Sequence, residues 1–147
     1  MSLFRGEIAY LGDASYCGPN KILNAVHQVV NLSASSATTE YVFICPSNYA
    51  VIAVREVHAV AGGSGATVNL ERLTGTTAPG SGIAILTTAM ALNGTANTVQ
   101  STAPSNIITT GGTSGTQLQA LDRLGIVLSG TLTGLANCVL EITLARL

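Results

Sequence analysis

The stretch "DRLGIVLSGTLTGLANCVLEITLARL", Asp122 to Leu147, decides the fold. In "NCVLEITLARL" the residues Leu140, Ile142, Leu144 and Arg146 alternate with Val139, Glu141, Thr143 and Ala145. A period of two puts one set on each face of a strand, so one row is apolar and the other mixed. "DRLGIVLSG" carries a second run rich in branched residues, and "TLTGLA" supplies the turn between them.

Working back toward the N-terminus, β signals continue. "VHQVVNL" (Val26–Leu32) precedes the polar run "SASSATTE", and "YVFIC" (Tyr41–Cys45) is stopped by Pro46. "AVIAVREVHAVA" (Ala50–Ala61) predicts one long strand, with Ile52, Val54, Glu56, His58 and Val60 on one face. "ATVNLERL" follows after "GGSG", with Val68, Leu70 and Arg72 opposite Thr67, Asn69, Glu71 and Leu73. "IAILTTAMAL" (Ile83–Leu92) fits a strand or a short helix. Asn93-Gly94 is a tight-turn pair, and "SNIITTGGTSGTQLQA" predicts another strand beside a Gly/Thr/Ser loop. Turn signals every 8–12 residues without βαβ alternation predict an all-β sandwich or barrel.

Composition agrees. Only 9% of the 147 residues are charged, against roughly 25% in an ordinary soluble domain. Hydrophobic residues reach 47% with 4% aromatic and no Trp, so the apolar mass is Ala, Val, Ile and Leu. Such residues suit pleated strands better than amphipathic helices. Six basic residues are scattered and the net charge is −1, so no basic stripe exists for nucleic acid. Charge this sparse also gives little repulsion between copies, which predicts a surface covered by neighbours. No apolar run approaches the ~18 residues of a membrane span, and no signal-peptide pattern opens the chain. Three widely spaced cysteines, Cys17, Cys45 and Cys138, predict free thiols in a reducing compartment. The glycosylation triplets at Asn31 and Asn93 are then chance matches.

The first 24 residues differ. "MSLFRGEIAYLGDASYCGPNKILN" holds Leu3, Phe4, Tyr10 and Tyr16 without sustained periodicity, broken by Gly6, Gly12 and Gly18-Pro19. It reads as an extended arm over 1–24 whose large side chains act as anchors, or equally as an N-terminal segment packed on its own domain, ahead of a sandwich over 25–147. Leu3, Phe4, Arg5, Tyr10 and Tyr16, with Pro79 in a Gly-rich loop, are the candidate interface residues.

Chemistry is hard to place on this chain. "TGTTAPGSG" (Thr74–Gly82) has the GxxxxG spacing of a P-loop, but Ser81 and Gly82 stand where Lys and Ser/Thr would bind phosphate and Mg²⁺. Pro79 also removes an amide donor from the cradle. Glu56 and His58 share a strand face, which would orient an imidazole, yet no third partner is assignable from sequence. Two histidines and three distant cysteines lack the paired spacing of a zinc site, and no acidic cluster suggests calcium or glycosidase chemistry. The expectation is no catalysis, no metal and no cofactor.

With "RLTGTTAPGSG", "LNGTANTVQ" and "LDRLGIVLSGTLTGLANCVLEITL", residues 40–147 resemble the auxiliary head proteins of tailed bacteriophages, the decoration or cement proteins. The resemblance implies a jelly-roll-like β-sandwich, often a homotrimer, that is made in the host cytoplasm and binds the outside of the capsid shell. Its partners would be itself and the major capsid protein, with neither nucleic acid nor membrane. A phage fibre or tail component that binds a host receptor or glycan is the alternative, since similar sequences fit there too.

Overall fold

The computed structural model describes residues 25–32, 38–108 and 116–147. The arm expected over 1–24 lies outside them. Ten strands follow in order: β1 (Ala25–Leu32), β2 (Thr39–Ile44), β3 (Tyr49–Val57), β4 (Thr67–Leu73), β5 (Ile83–Ala84), β6 (Met90–Ala91), β7 (Gln100–Ser101), β8 (Thr116–Leu118), β9 (Arg123–Ser129) and β10 (Cys138–Arg146). A single 3₁₀ turn, Pro104–Asn106, is the only helical element among the described residues, and no helix there is long and apolar enough to cross a membrane.

All pairings are antiparallel and build two sheets. The first runs β1-β10-β3-β7, with β8 also on β3; the second runs β2-β9-β4-β5, with β6 also on β4. β5 and β6 act as one interrupted strand, and so do β7 and β8. The described residues then contribute eight strands that pair first-eighth-third-sixth and second-seventh-fourth-fifth. That is the jelly-roll order, two Greek keys folded face to face.

Alternation explains the core. Leu140, Ile142 and Leu144 of β10 point inward, as their spacing predicts, and meet Val68 and Leu70 of β4 and Leu124, Ile126 and Leu128 of β9; all are buried. Each fully buried aliphatic side chain of this size contributes about 1.5–3 kcal/mol of hydrophobic stabilisation. Leu132, in the turn before β10, closes one end of the same cluster.

Three expectations are corrected. β3 ends at Val57 and not at Ala61, because beyond it the chain keeps only an isolated bridge, Val60 to Ala136. Its alternation also changes phase. Thr143 of β10 pairs with Ala53 but Leu144 pairs with Val51, so Ile52 is an extra, bulged residue. The inward set is therefore Val51, then Val54 and Glu56, while Ile52 is only half-buried. The segment Ile83–Leu92 forms neither a continuous strand nor a helix. It supplies the two-residue strands β5 and β6, and Ile85, Leu86 and Leu92 turn into the core between and beyond them.

Candidate functional site

Among the described residues three polar clusters are each built on a buried carboxylate. The first is the glycine-rich loop that imitates a P-loop. It leaves β4 at Leu73 and folds back over the outer face of the second sheet. A turn closes Ala78 to Ser81 (Ser81 N–H to Ala78 O, 3.1 Å), with Pro79 at its second position and Gly80 at φ +86° at its third. Proline there and glycine at positive φ are what a type II turn requires.

The turn aims two amides inward. Gly80 N–H donates to Glu71 Oε1 at 2.6 Å, and Gly82 N–H donates to Glu71 Oε2 at 2.9 Å. Glu71 is only 3% exposed although it projects from the outer face of β4. The loop does cradle an anion, and the anion is the chain's own carboxylate. Opposite, Arg123 Nη2–H donates to the carbonyls of Gly75 (2.7 Å) and Thr77 (3.1 Å), while its guanidinium lies 5.2 Å from the ring centre of Tyr41. One acid holds the loop's amides and one base holds its carbonyls. Gly125 of β9 makes room for this, since a Cβ there would stand 2.8 Å from Glu71 Oε1 and 2.9 Å from Leu73 Cδ1.

The second cluster lies inside the sandwich where β3 ends. His58 Nδ1 is 3.0 Å from Glu56 Oε2, and His58 Nε2 is 3.2 Å from Gly94 O. Both side chains are fully buried. The thiol of Cys138, first residue of β10, donates to Glu56 Oε2 at 3.9 Å. Acid, imidazole and thiol thus come together as in a cysteine–histidine site. The chemistry runs the other way, because burial and the neighbouring Glu56 carboxylate push the Cys138 thiol up to about 12. A thiol held protonated is no nucleophile near neutral pH. Glu56 Oε1 has no hydrogen-bond partner, nor has Nε2 of Gln100, its cross-strand neighbour on β7.

The third cluster closes the end where β3 begins. Asp122 Oδ2 accepts from Arg72 Nε (2.7 Å) and from Gln119 N–H (2.7 Å). Burial, followed by the Asp122 charge, raises the Cys45 thiol to about 11. The pair fixes the turn Gln119–Asp122, which holds Leu121 at φ +71° and 79% exposed. Sequence reasoning missed Leu121, because nothing local marks a leucine at positive φ.

Among the described residues no group of three potential ligands is placed to hold a metal. A shallow groove of about 500 Å³ runs between β6 and β7, lined by Thr87, Thr88, Met90, Gln100, Thr102 and Asn106 among others, with no charged or aromatic side chain. The Asn106 amide spans it, accepting from Thr88 N–H (2.7 Å) and donating to Thr88 O (2.8 Å). Of the expected interface residues, Pro79 is half-buried in its turn beside the exposed Ala78, Gly80 and Ser81. Leu3, Phe4, Arg5, Tyr10 and Tyr16, together with Cys17, lie outside the described residues.

No family model matches the chain, and no curated protein matches it. A solved chain from the structure of infectious bursal disease virus, Gx strain, is similar over 84% of this chain and 35% of that one, at 16% identity and a TM-score of 0.23. This chain thus spans about a third of that one, and the likeness carries no argument about function.

Proposed function

We propose that the protein is a non-enzymatic structural component of a virion, a decoration protein that binds the outer surface of a tailed-phage head as an oligomer and stabilises it. The observation that carries this reading is how the carboxylates are used. Glu71, Glu56 and Asp122 each hold a loop, an imidazole or a turn of the jelly roll in place, and none of them lines the groove between β6 and β7. The sparse charge and the resemblance of residues 40–147 point the same way. A protein that binds the assembled shell and not its free subunits stabilises the shell by mass action, and many copies add avidity.

In this reading residues 1–24 carry the anchors Leu3, Phe4, Arg5, Tyr10 and Tyr16, and Pro79 offers a rigid second contact. Co-sedimentation with purified capsids tests it. The full chain is expected to pellet with shells, and a chain lacking residues 2–24 to stay in the supernatant with an unchanged circular-dichroism spectrum. Full-length protein that never pellets with shells would sink the decoration role; a truncated chain that pellets equally well would sink the arm alone.

The second reading is a fibre or tail component that binds a receptor or glycan. The uncharged hydroxyl- and amide-lined groove beside Asn106 favours it, since such a lining offers neutral hydrogen bonds. Binding to host cells that is lost on filling the groove with Ser101→Tyr would support this alternative.

A further inference from the structure

We infer that the outer edge of β1 is a self-association surface, on which β1 of a second copy docks antiparallel across a twofold axis at Val29. The argument starts from the edges of the two sheets. An edge strand presents unpaired amides and carbonyls, and proteins guard such edges with brevity, charge, proline or bulges. β5, β6 and β7 have two residues each and β8 three, so they are guarded by brevity. β2 carries Glu40 and a register break at Val42, and Thr39 lies against the Gly80 turn.

β1 has none of these guards. Its eight residues, AVHQVVNL, contain no acidic residue, lysine, arginine, glycine or proline, and they pair with β10 in unbroken register from Ala25–Ala145 to Leu32–Cys138. No described residue pairs with its other side.

A second copy of β1 fits that edge in a particular register. A twofold axis perpendicular to the sheet keeps each face on its own side, so paired residues must share parity. Centred on Val29, the outer face pairs Val29 with Val29 and His27 with Asn31, and the inner face pairs Val26 with Leu32 and Gln28 with Val30. Val29 is 51% exposed on the outer face, an apolar side chain left in water unless something covers it. Val26 and Val30 pack against the core and are only partly buried at the sheet's end, and the second copy would cover them. No like charges meet along the seam, because Glu141 pairs with Val29 on the far side and is engaged by His27 (2.6 Å) and Arg55 (3.6 Å) of its own chain. The alternative register, centred on Gln28, would place two glutamine side chains together on the inner face. The contact is independent of the capsid reading, and it would join two four-strand runs into one continuous sheet.

Disulfide trapping in the full-length chain tests the register. In a Cys17→Ser background, Val29→Cys should give a covalent dimer on mild oxidation, since a residue on the axis meets its own copy at a cross-strand spacing compatible with a disulfide. Gln28→Cys should stay monomeric under the same treatment. Val29→Lys places two ammonium groups on the axis, and should halve the mass seen by sedimentation at a concentration where the unsubstituted chain associates, with its melting temperature retained. No covalent dimer from Val29→Cys, or an unchanged mass for Val29→Lys, overturns the proposal. A full-length chain that is monomeric while its β1 amides resist hydrogen exchange overturns it as well, and assigns the edge to residues 1–24 of the same chain.

Discussion

Glu71 and Glu56 are both buried glutamates on internal strands of the two sheets, yet they are used in opposite ways. Glu71 points out of its sheet and is covered by a loop that brings one amide to each carboxylate oxygen. Glu56 points into the sandwich, shares one oxygen between His58 and Cys138, and leaves the other without a partner. The difference teaches what each cluster is for. A carboxylate with both oxygens engaged is a structural fastener, whereas one with an orphan oxygen is the weaker joint of the same fold.

That comparison can be broken most easily at the fastener. Glu71→Ala strips the acceptor from two turn amides, and should cost on the order of 3 kcal/mol in urea unfolding. It should also open residues 74–82 to proteolysis while the rest of the sheet persists. Gly125→Ala attacks the same fastener from beneath, because the new methyl meets Glu71 and Leu73; about 2 kcal/mol is expected from overpacking. Glu56→Gln should cost less, about 1 kcal/mol, since the oxygen it alters on one side has no bond to lose. If Glu56→Gln proves more damaging than Glu71→Ala, the ranking of the two clusters is wrong.

The smallest effect separates the thiols. Cys45 and Cys138 are raised from 9.0 to about 11 and 12, so the unfolded chain releases these protons first as pH rises. Their contribution is whole below pH 9 and is lost as pH climbs through 11 and 12. Urea midpoints should therefore fall above pH 9, and a Cys45→Ala/Cys138→Ala double variant should show a shallower fall. An identical slope in both proteins would remove the buried thiols from the account.

Much of the fold was legible because the inner faces of β9 and β10 alternate without interruption, and neither strand's inner row contains a charge before Arg146. β3 was less so. A bulge at Ile52 is set by its pairing with β10, which local sequence does not record. The Glu56–His58 pair could be read from same-face spacing, but its closure by Gly94 and Cys138 joins residues 36 and 82 positions away. Glu71 was read only as sharing a strand face with Thr67, Asn69 and Leu73. The signal that marks it is an acid on the outer face of a strand that runs straight into a Pro-Gly turn. The Gly/Pro composition of Thr74–Gly82 marked a shaped turn loop, but that its amides close on Glu71 depends on how the loop folds back, which local sequence does not record.

The assembly role is tested most directly by an electron-microscopy map of virions carrying a labelled copy of this protein. The account predicts label at regular positions on the outer surface of the head shell. Label confined to the tail or fibres, or absent from the virion, would contradict it.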